Sequence, residues 1–324
     1  MDRRTFFTAA TALVGAPPFI TEAQPVKVPR IGFLSNADPT TGASQLEAFR
    51  RGLRELGWID GQTFIMEYRW AEGRPERLPG LVADLVRAKV DVIVLSGPLA
   101  IAAAQNETKT IPVVFVLLVD PVTMGFVPSL ARPGGNMTGL ASHFEELITK
   151  QLQLLKEALP GLSRVALLRH SEVTSSILTA AESAARSLGL VARTLTVTRE
   201  SEFESAFKAA RNDRLGAMHV LPSPYLGAQR ARLIALAAQY RLPAFYEFKI
   251  FVQDGGLMSY GPSVDDLYGR SASYVNRILK GANPGDLAIE RPARFELVIN
   301  LKTANALGLT IPKAVLLRAD HVIQ

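Results

Sequence analysis

The sequence predicts an α/β protein of two doubly wound, Rossmann-like lobes joined by a hinge that the chain crosses more than once. Three observations lead there. Short apolar runs rich in β-branched residues alternate with amphipathic helical stretches. The alternation breaks at the turn-rich stretch SLARPGGNMTGLAS (Ser129–Ser142) and then starts again. The segment after Gly255 is too short for a third domain, so its elements must return to the first two. Nearly continuous apolar strands separated by helices imply a parallel sheet covered on both faces.

The first series opens with strand RIGFLS (Arg30–Ser35). Leu46, Phe49, Leu53 and Leu56 then share one helix face, which stops at Gly57. TFIMEY follows, then a helix with Leu78, Leu81, Val82, Leu85 and Val86 inward. VDVIVLS, an alanine-rich helix and IPVVFVLL complete the series. In the second series RVALLR (Arg164–Arg169) is a strand, and Ile177, Ala181, Ala184 and Leu188 form a helix face ending at Gly189. VARTLTV comes next, and Ser201-x-x-Glu204 reads as a capping box before a helix with Phe203, Phe207 and Ala210. GAMHVLP and PAFYEF flank a helix around Leu233 and Leu236. The tail adds strand GLMSYG, a long helix with Leu267, Val275, Ile278 and Leu279, and the segment FELVINLKTANALGLTIP. The expected division is 28–140 plus about 250–285 for one lobe, and 141–249 plus about 286–324 for the other.

Residues 1–23 read as an export signal and not as part of the fold. Arg3-Arg4 and the following Thr-Phe-Phe resemble a twin-arginine signal, with the general secretory route as the alternative. An apolar stretch from Phe6 to Val14 follows, and Thr21-Glu22-Ala23 fits a small-x-small cleavage site. That stretch is far shorter than the roughly 20 residues a membrane span needs. The chain has no cysteine, which excludes a lipobox anchor, disulfides, thiolate catalysis and thiolate metal sites. The expected location is therefore the periplasm, as a free, signal-cleaved monomer. A net charge of +6 is modest for 324 residues, and no Lys/Arg cluster is interleaved with aromatics, so no nucleic-acid partner is expected.

Catalytic chemistry is missing from the sequence. No G-x-G-x-x-G follows a strand, and no G-x-x-x-x-G-K-[ST] occurs. LMSYG has Leu257 where a nucleophile elbow needs its first glycine. The histidines His143, His170, His219 and His321 are scattered, and His219 lies within an apolar strand as a core residue would. Asp265-Asp266 and Glu145-Glu146 open helices, where the dipole explains them. No enzyme activity, metal or cofactor is expected.

Several stretches resemble one family. They are SLARPGGNMTGLAS, the long block from GGLMSYGPSVDDLYGRSASYVNRILKGANPGD to ALGLTIP, and the closing LLRADHVIQ. RRGLRELGWIDGQTFIMEYRWAEGRPERLPGLVADLV and DPVTMGFV fit it too. The family is the ABC-transporter substrate-binding proteins of the tryptophan/tyrosine-type import systems, a branch of the type I periplasmic binding proteins. The resemblance implies a two-lobed clamshell that captures a small molecule. It also implies delivery to the membrane subunits of an ABC permease with its cytoplasmic ATPase. Two departures bear on the ligand. Arg169-His170-Ser171 stands where members usually carry a Trp-Asn-Pro-like sequence, and Leu99 follows Ser96-Gly97-Pro98 where small residues are usual.

Candidate ligand-binding residues follow from strand ends. Pro98 suits a first helical turn, with Ser96 and Gly97 as caps before it. Such a junction aims free N–H groups and a positive dipole end at a ligand carboxylate. Ser96 either donates to that carboxylate or only caps its helix. Other wall candidates are Ser35, Asn36, Leu99 and Asp120 from the first lobe, and His170, Ser223, Tyr225 and Glu247 from the second. Tyr225, Tyr246 and Tyr260 offer rigid faces. Glu247 is the candidate partner for a ligand ammonium, or else an acceptor on the hinge side. The expected ligand is an amino acid or an aromatic or branched acid. A ligand-sensing module that docks to a receptor is the alternative function, and a hydrolase using the same cleft is a further one.

Overall fold

The structure, a computed structural model, describes residues 28–142, 144–171 and 173–324. The export segment expected at 1–23, and His143, lie outside the described residues.

The first lobe winds strands and helices alternately: β1 (Arg30–Ser35), α1 (Ala43–Glu55), β2 (Ile65–Trp70), α2 (Leu78–Arg87), β3 (Val92–Ser96), α3 (Pro98–Glu107), β4 (Val113–Leu117) and β5 (Met137–Ala141). Its sheet runs β2-β1-β3-β4-β5, with every pairing parallel. Runs such as VIVLS and VVFVL are buried along almost their whole length because helices cover both faces. One face packs Ile31, Phe33, Val92, Val94 and Val114, and the other packs Leu34, Ile93, Leu95, Val113 and Phe115.

The second lobe begins with α4 (Phe144–Ala158) and continues through β6 (Arg164–His170), α5 (Ser175–Ser187), β7 (Val191–Val197), α6 (Phe203–Asn212) and β8 (Ala217–Val220). Next come α7 (Pro224–Ala228), α8 (Arg230–Gln239), β9 (Ala244–Tyr246), α9 (Lys249–Gln253) and β10 (Met258–Pro262). Then α10 (Val264–Leu279) leaves this lobe and packs on the first. The chain returns as β11 (Phe295–Asn300), α11 (Leu301–Ala306), α12 (Lys313–Leu316) and β12 (His321–Ile323). The second sheet has the order β12-β11-β10-β9-β8-β6-β7 and is parallel except at β10–β11. The chain thus crosses between lobes after β5, between β10 and α10, and at residues 291–294 before β11. These crossings form the hinge.

The seating of α10 on the first lobe rests on a glycine. A Cβ at Gly52 of α1 would collide with the Gly269 carbonyl oxygen and stand 2.9 Å from the Ala272 Cβ. Only glycine lets the two helices approach so closely. Leu267, Tyr268, Ala272 and Val275 then join Phe49 and Leu53 in one apolar layer.

Four features differ from the sequence reading. The stretch read only as a break contains β5, whose Thr138 and Gly139 disguise a strand buried at all five positions. Residues 286–290, assigned to the second lobe by the sequence reading, instead line the edge of β5: Ala141 N–H donates to the Glu290 carbonyl at 2.9 Å, and Thr138 Oγ1 donates to the Leu287 carbonyl at 2.6 Å. The segment 250–285, expected whole in the first lobe, is divided. α9 and β10 belong to the second lobe, because β10 pairs in parallel with β9 and antiparallel with β11. The capping box at Ser201 does not form. A 3₁₀ turn at Glu200–Glu202 delays α6, and the Glu202 carboxylate instead accepts from the Thr198 N–H at 2.8 Å.

Candidate functional site

The carboxyl ends of β1, β3 and β4 face those of β8 and β9 across a cavity of about 570 Å³. Parallel strands end on the same side, so loops from both sheets meet there. A larger hollow of about 860 Å³ lies at the opposite end of the first sheet, against Trp58, Pro112 and Ile278. None of the described side chains lining it carries a sealed polar atom without a hydrogen-bond partner. The interlobe cavity is where unpartnered polar groups gather.

The first lobe supplies Asn36 after β1, Ser44 and Gln45 in the first turn of α1, and Ser96, Gly97 and Pro98 at the β3–α3 junction. Val116–Val119 form the apolar floor, and Val264, Asp265 and Tyr268 enter from α10. Gly97 is the residue before α3, with φ +86, a conformation that needs glycine. No side chain caps α3, so Ser96 is not the helix cap that the sequence suggested. Its hydroxyl instead meets Tyr268, whose phenol burial pushes up to about 12. The first N–H groups of α3 after Pro98 carry the dipole's positive end. Asn36 Oδ1 is buried at this wall without a hydrogen-bond partner.

The second lobe supplies Pro222 and Ser223 after β8, Gly227, Ala228 and Arg230 near the α7–α8 junction, and Glu247–Phe251 after β9. Ser223 Oγ accepts from the Leu226 N–H at 3.4 Å and so caps α7. Glu247 is 5% exposed, and its Oε2 is sealed without a partner. Burial alone raises its carboxyl well above the usual range. An unpaired buried carboxyl costs stability, so folding alone gives no reason to keep one here.

Of the ten residues singled out from sequence, the cavity wall brings together Asn36, Ser96, Gly97, Ser223 and Glu247. The other five side chains lie elsewhere. Ser35 is buried, and its hydroxyl accepts from the Ala37 N–H at 3.1 Å, fixing the loop that presents Asn36. Leu99 is 60% exposed, since its place in the first turn of α3 directs the side chain to solvent. The Asp120 carboxylate closes its own turn, accepting from the Val122 N–H at 3.0 Å and the Thr123 hydroxyl at 2.7 Å. His170 and Tyr225 stack on each other at 4.3 Å, with the imidazole Nε2 at 3.1 Å from the Thr198 carbonyl oxygen. Tyr225 also meets Phe203 edge-on, which ties it to the core layer below the cleft. Tyr246 and Tyr260 do not line the cavity: Tyr246 stacks at 4.6 Å behind the wall residue Phe251, and Tyr260 stacks on Phe295 at 6.0 Å.

Sequence reasoning missed Arg230, Lys249 and Tyr268. Tyr268 carried a usable signal: it lies three residues after Asp265 and so on the same face of α10. Lys249 bridges Asp265 at 2.6 Å and Glu296 at 3.6 Å, a pairing across 16 and 47 positions that no local pattern marks. Among the described residues no group of three His, Asp or Glu side chains is placed to hold a metal ion, and no helix is long and apolar enough to cross a membrane.

Residues 41–323 match the family described as ABC transporter substrate binding protein. A tyrosine-binding protein of Clostridioides difficile (strain R20291) is 23% identical over 265 residues, which are 81% of this chain and 76% of that protein. Two solved structures align over 91% of this chain. One is a conserved domain protein from Vibrio cholerae, 26% identical with a TM-score of 0.83, covered over 100% of its length. The other is an ABC domain in complex with L-Trp from Streptococcus pneumoniae, 25% identical with a TM-score of 0.82, covered over 99%.

Proposed function

The chain belongs to the ABC transporter substrate-binding protein family, and from that premise we propose that it captures an α-amino acid with an apolar side chain in the periplasm. It then delivers the ligand to a membrane permease driven by a cytoplasmic ATPase. The observation that carries the choice of ligand is Glu247, a buried carboxyl without a partner in the cleft between the lobes. A ligand ammonium supplies the missing charge and hydrogen bonds there. The relative that binds tyrosine and the structure with L-Trp bound support an amino acid as the ligand class.

The ligand carboxylate is received at the opposite wall, by Ser96 and the free N–H groups of α3. Each charge-assisted hydrogen bond there contributes roughly 1.5–3 kcal/mol. The floor of Val116, Leu117 and Leu118, with Phe248 opposite, buries the apolar body of the ligand. Since Glu247 and α3 lie on different lobes, one zwitterion meets both only when the cleft closes on it. The ligand is held and released unchanged, without chemistry. Export by the arginine-paired signal and action as a monomer complete this reading.

Isothermal calorimetry on the mature chain against the common amino acids, with matched amine-free acids, is the test. At least one α-amino acid is expected to bind with micromolar affinity or better, and its deaminated analogue far more weakly. Equal affinity for the two would remove Glu247 from ammonium recognition. Absence of binding by every α-amino acid would overturn the ligand class.

A further inference from the structure

Six charged residues line the interlobe cavity: Asp38, Glu72, Arg230, Glu247, Lys249 and Asp265. Four of them are matched by the protein. The Asp38 carboxylate accepts from the Thr40 and Thr41 N–H groups and the Thr41 hydroxyl. Glu72 pairs with Arg74 and Arg77, and Lys249 pairs with Asp265. Glu247 is assigned above. Arg230 is the remaining charge, and it is only partly used. Its Nε donates to Asp254 Oδ2 at 2.7 Å, while its two terminal nitrogens have no hydrogen bond among the described residues. The side chain is 26% exposed, so the Asp254 contact holds a largely covered guanidinium in a fixed orientation at the cavity wall.

The geometry points to Arg230 as a specificity-determining residue that receives a second, anionic group at the far end of the ligand. This rests on the amino-acid reading of the same cleft. A guanidinium anchored through Nε keeps its end-on pair of N–H groups, the fork that matches a carboxylate in a bidentate way. Its place in the cleft separates it from the ammonium site. Glu247 and Asp254 flank α9, whose five residues at a rise of 1.5 Å each put roughly 8 Å of helix between the two backbone positions. The α-carboxylate is attached to the same carbon as the ammonium, so it does not span that distance. A ligand that reaches both ends carries its second anion on the side chain. Ile250 and Phe251 line the cavity between them, which suits an apolar spacer such as an aromatic ring.

The test compares phenylalanine with 4-carboxyphenylalanine by calorimetry, in the mature chain and in its Arg230→Gln variant. The added carboxylate is expected to tighten binding by about tenfold to a hundredfold in the parent protein. That gain, read as the ratio of the two affinities, is expected to vanish in Arg230→Gln, with thermal melts confirming that the variant folds. Glu247→Gln is expected to weaken both ligands and preserve their ratio. Equal affinities in the parent, or a gain that survives Arg230→Gln, would overturn the assignment. If neither amino acid binds, the amino-acid reading fails. Phenylacetate compared with 1,4-phenylenediacetate then decides Arg230 independently, by the same gain and the same loss.

Discussion

The two walls of the cleft are built alike and charged differently. Both present the carboxyl ends of parallel strands, and both hold a buried oxygen without a partner, Asn36 Oδ1 on one side and Glu247 Oε2 on the other. On the first lobe, however, Asp38 and Glu72 are satisfied by their own neighbours, leaving neutral groups and the amino end of α3. On the second lobe Glu247 has no partner and Arg230 has a free fork. The comparison teaches that the lobes divide the work. In the proposed reading, the second lobe meets the ligand with charged side chains, and the first meets it with dipoles and apolar contact.

The largest break in this comparison is Glu247→Gln. Removing one side of a buried charged pair is expected to cost about 2–5 kcal/mol of binding for an α-amino acid. An amine-free acid is expected to bind almost as before. Calorimetry with one ligand of each kind separates the outcomes, and a parallel loss for both would place the ammonium elsewhere.

Next in size is Gly52→Ala, which acts on the seating of the first lobe. The added methyl meets the Gly269 backbone, which does not yield as a flexible side chain would. Overpacking there is expected to lower stability by about 1–3 kcal/mol in urea unfolding. Since α10 carries Asp265 and Tyr268 into the cleft, ligand affinity is expected to fall with it. Unchanged stability would mean that α10 shifts without cost.

Ser96→Ala is a smaller perturbation on the first-lobe wall. With no cap to lose, the variant forfeits a hydroxyl that meets Tyr268 and, in the proposed reading, the ligand, expected to be worth about 1 kcal/mol of affinity. Tyr268→Phe distinguishes the shares: a similar loss there would show that the hydroxyl acts by orientation. Full affinity in both variants would leave the anion to backbone N–H groups alone.

The smallest expected effect is a pH slope in the ligand-free protein. The Glu247 carboxyl is raised by burial from its ordinary 4.5, so the folded chain holds a proton that the unfolded chain has released. Its contribution to stability is therefore complete below about 4.5 and falls as pH rises towards the folded-state value. His219 has the opposite sign. Burial lowers it from 6.5 to about 3, so the stability it allows is present above 6.5 and lost as pH falls towards 3. Thermal melts across this range are expected to show Glu247→Gln gaining on the parent as pH rises. A constant difference would mean that Glu247 is ionised in the empty cleft.

How legible the cleft was depends on the residue. Ser96, Gly97 and Pro98 announce a strand–turn–helix junction, because caps, positive φ and N-terminal proline are local demands on the chain. Glu247 was legible as a charge at a strand end, since β9 stops just before it. His170 and Tyr225 stood at equally good positions, yet their rings stack on one another. A strand end fixes where a side chain starts, and packing decides where it points.

By itself, then, the sequence determined what local chemistry and burial periodicity encode: twice-repeated strand–helix winding, parallel sheets covered on both faces, and the β3–α3 junction. Periodicity states that a strand is buried and says nothing about its neighbours. For that reason β10 joined the second sheet and the disguised β5 completed the first only once tertiary pairing was known. The same holds for charge. Asp265 and Glu247 look alike as carboxylates, but Lys249 neutralises the first and leaves the second alone. Partnership between side chains is set by distances in space, and those exist only after residues far apart in the chain have packed together.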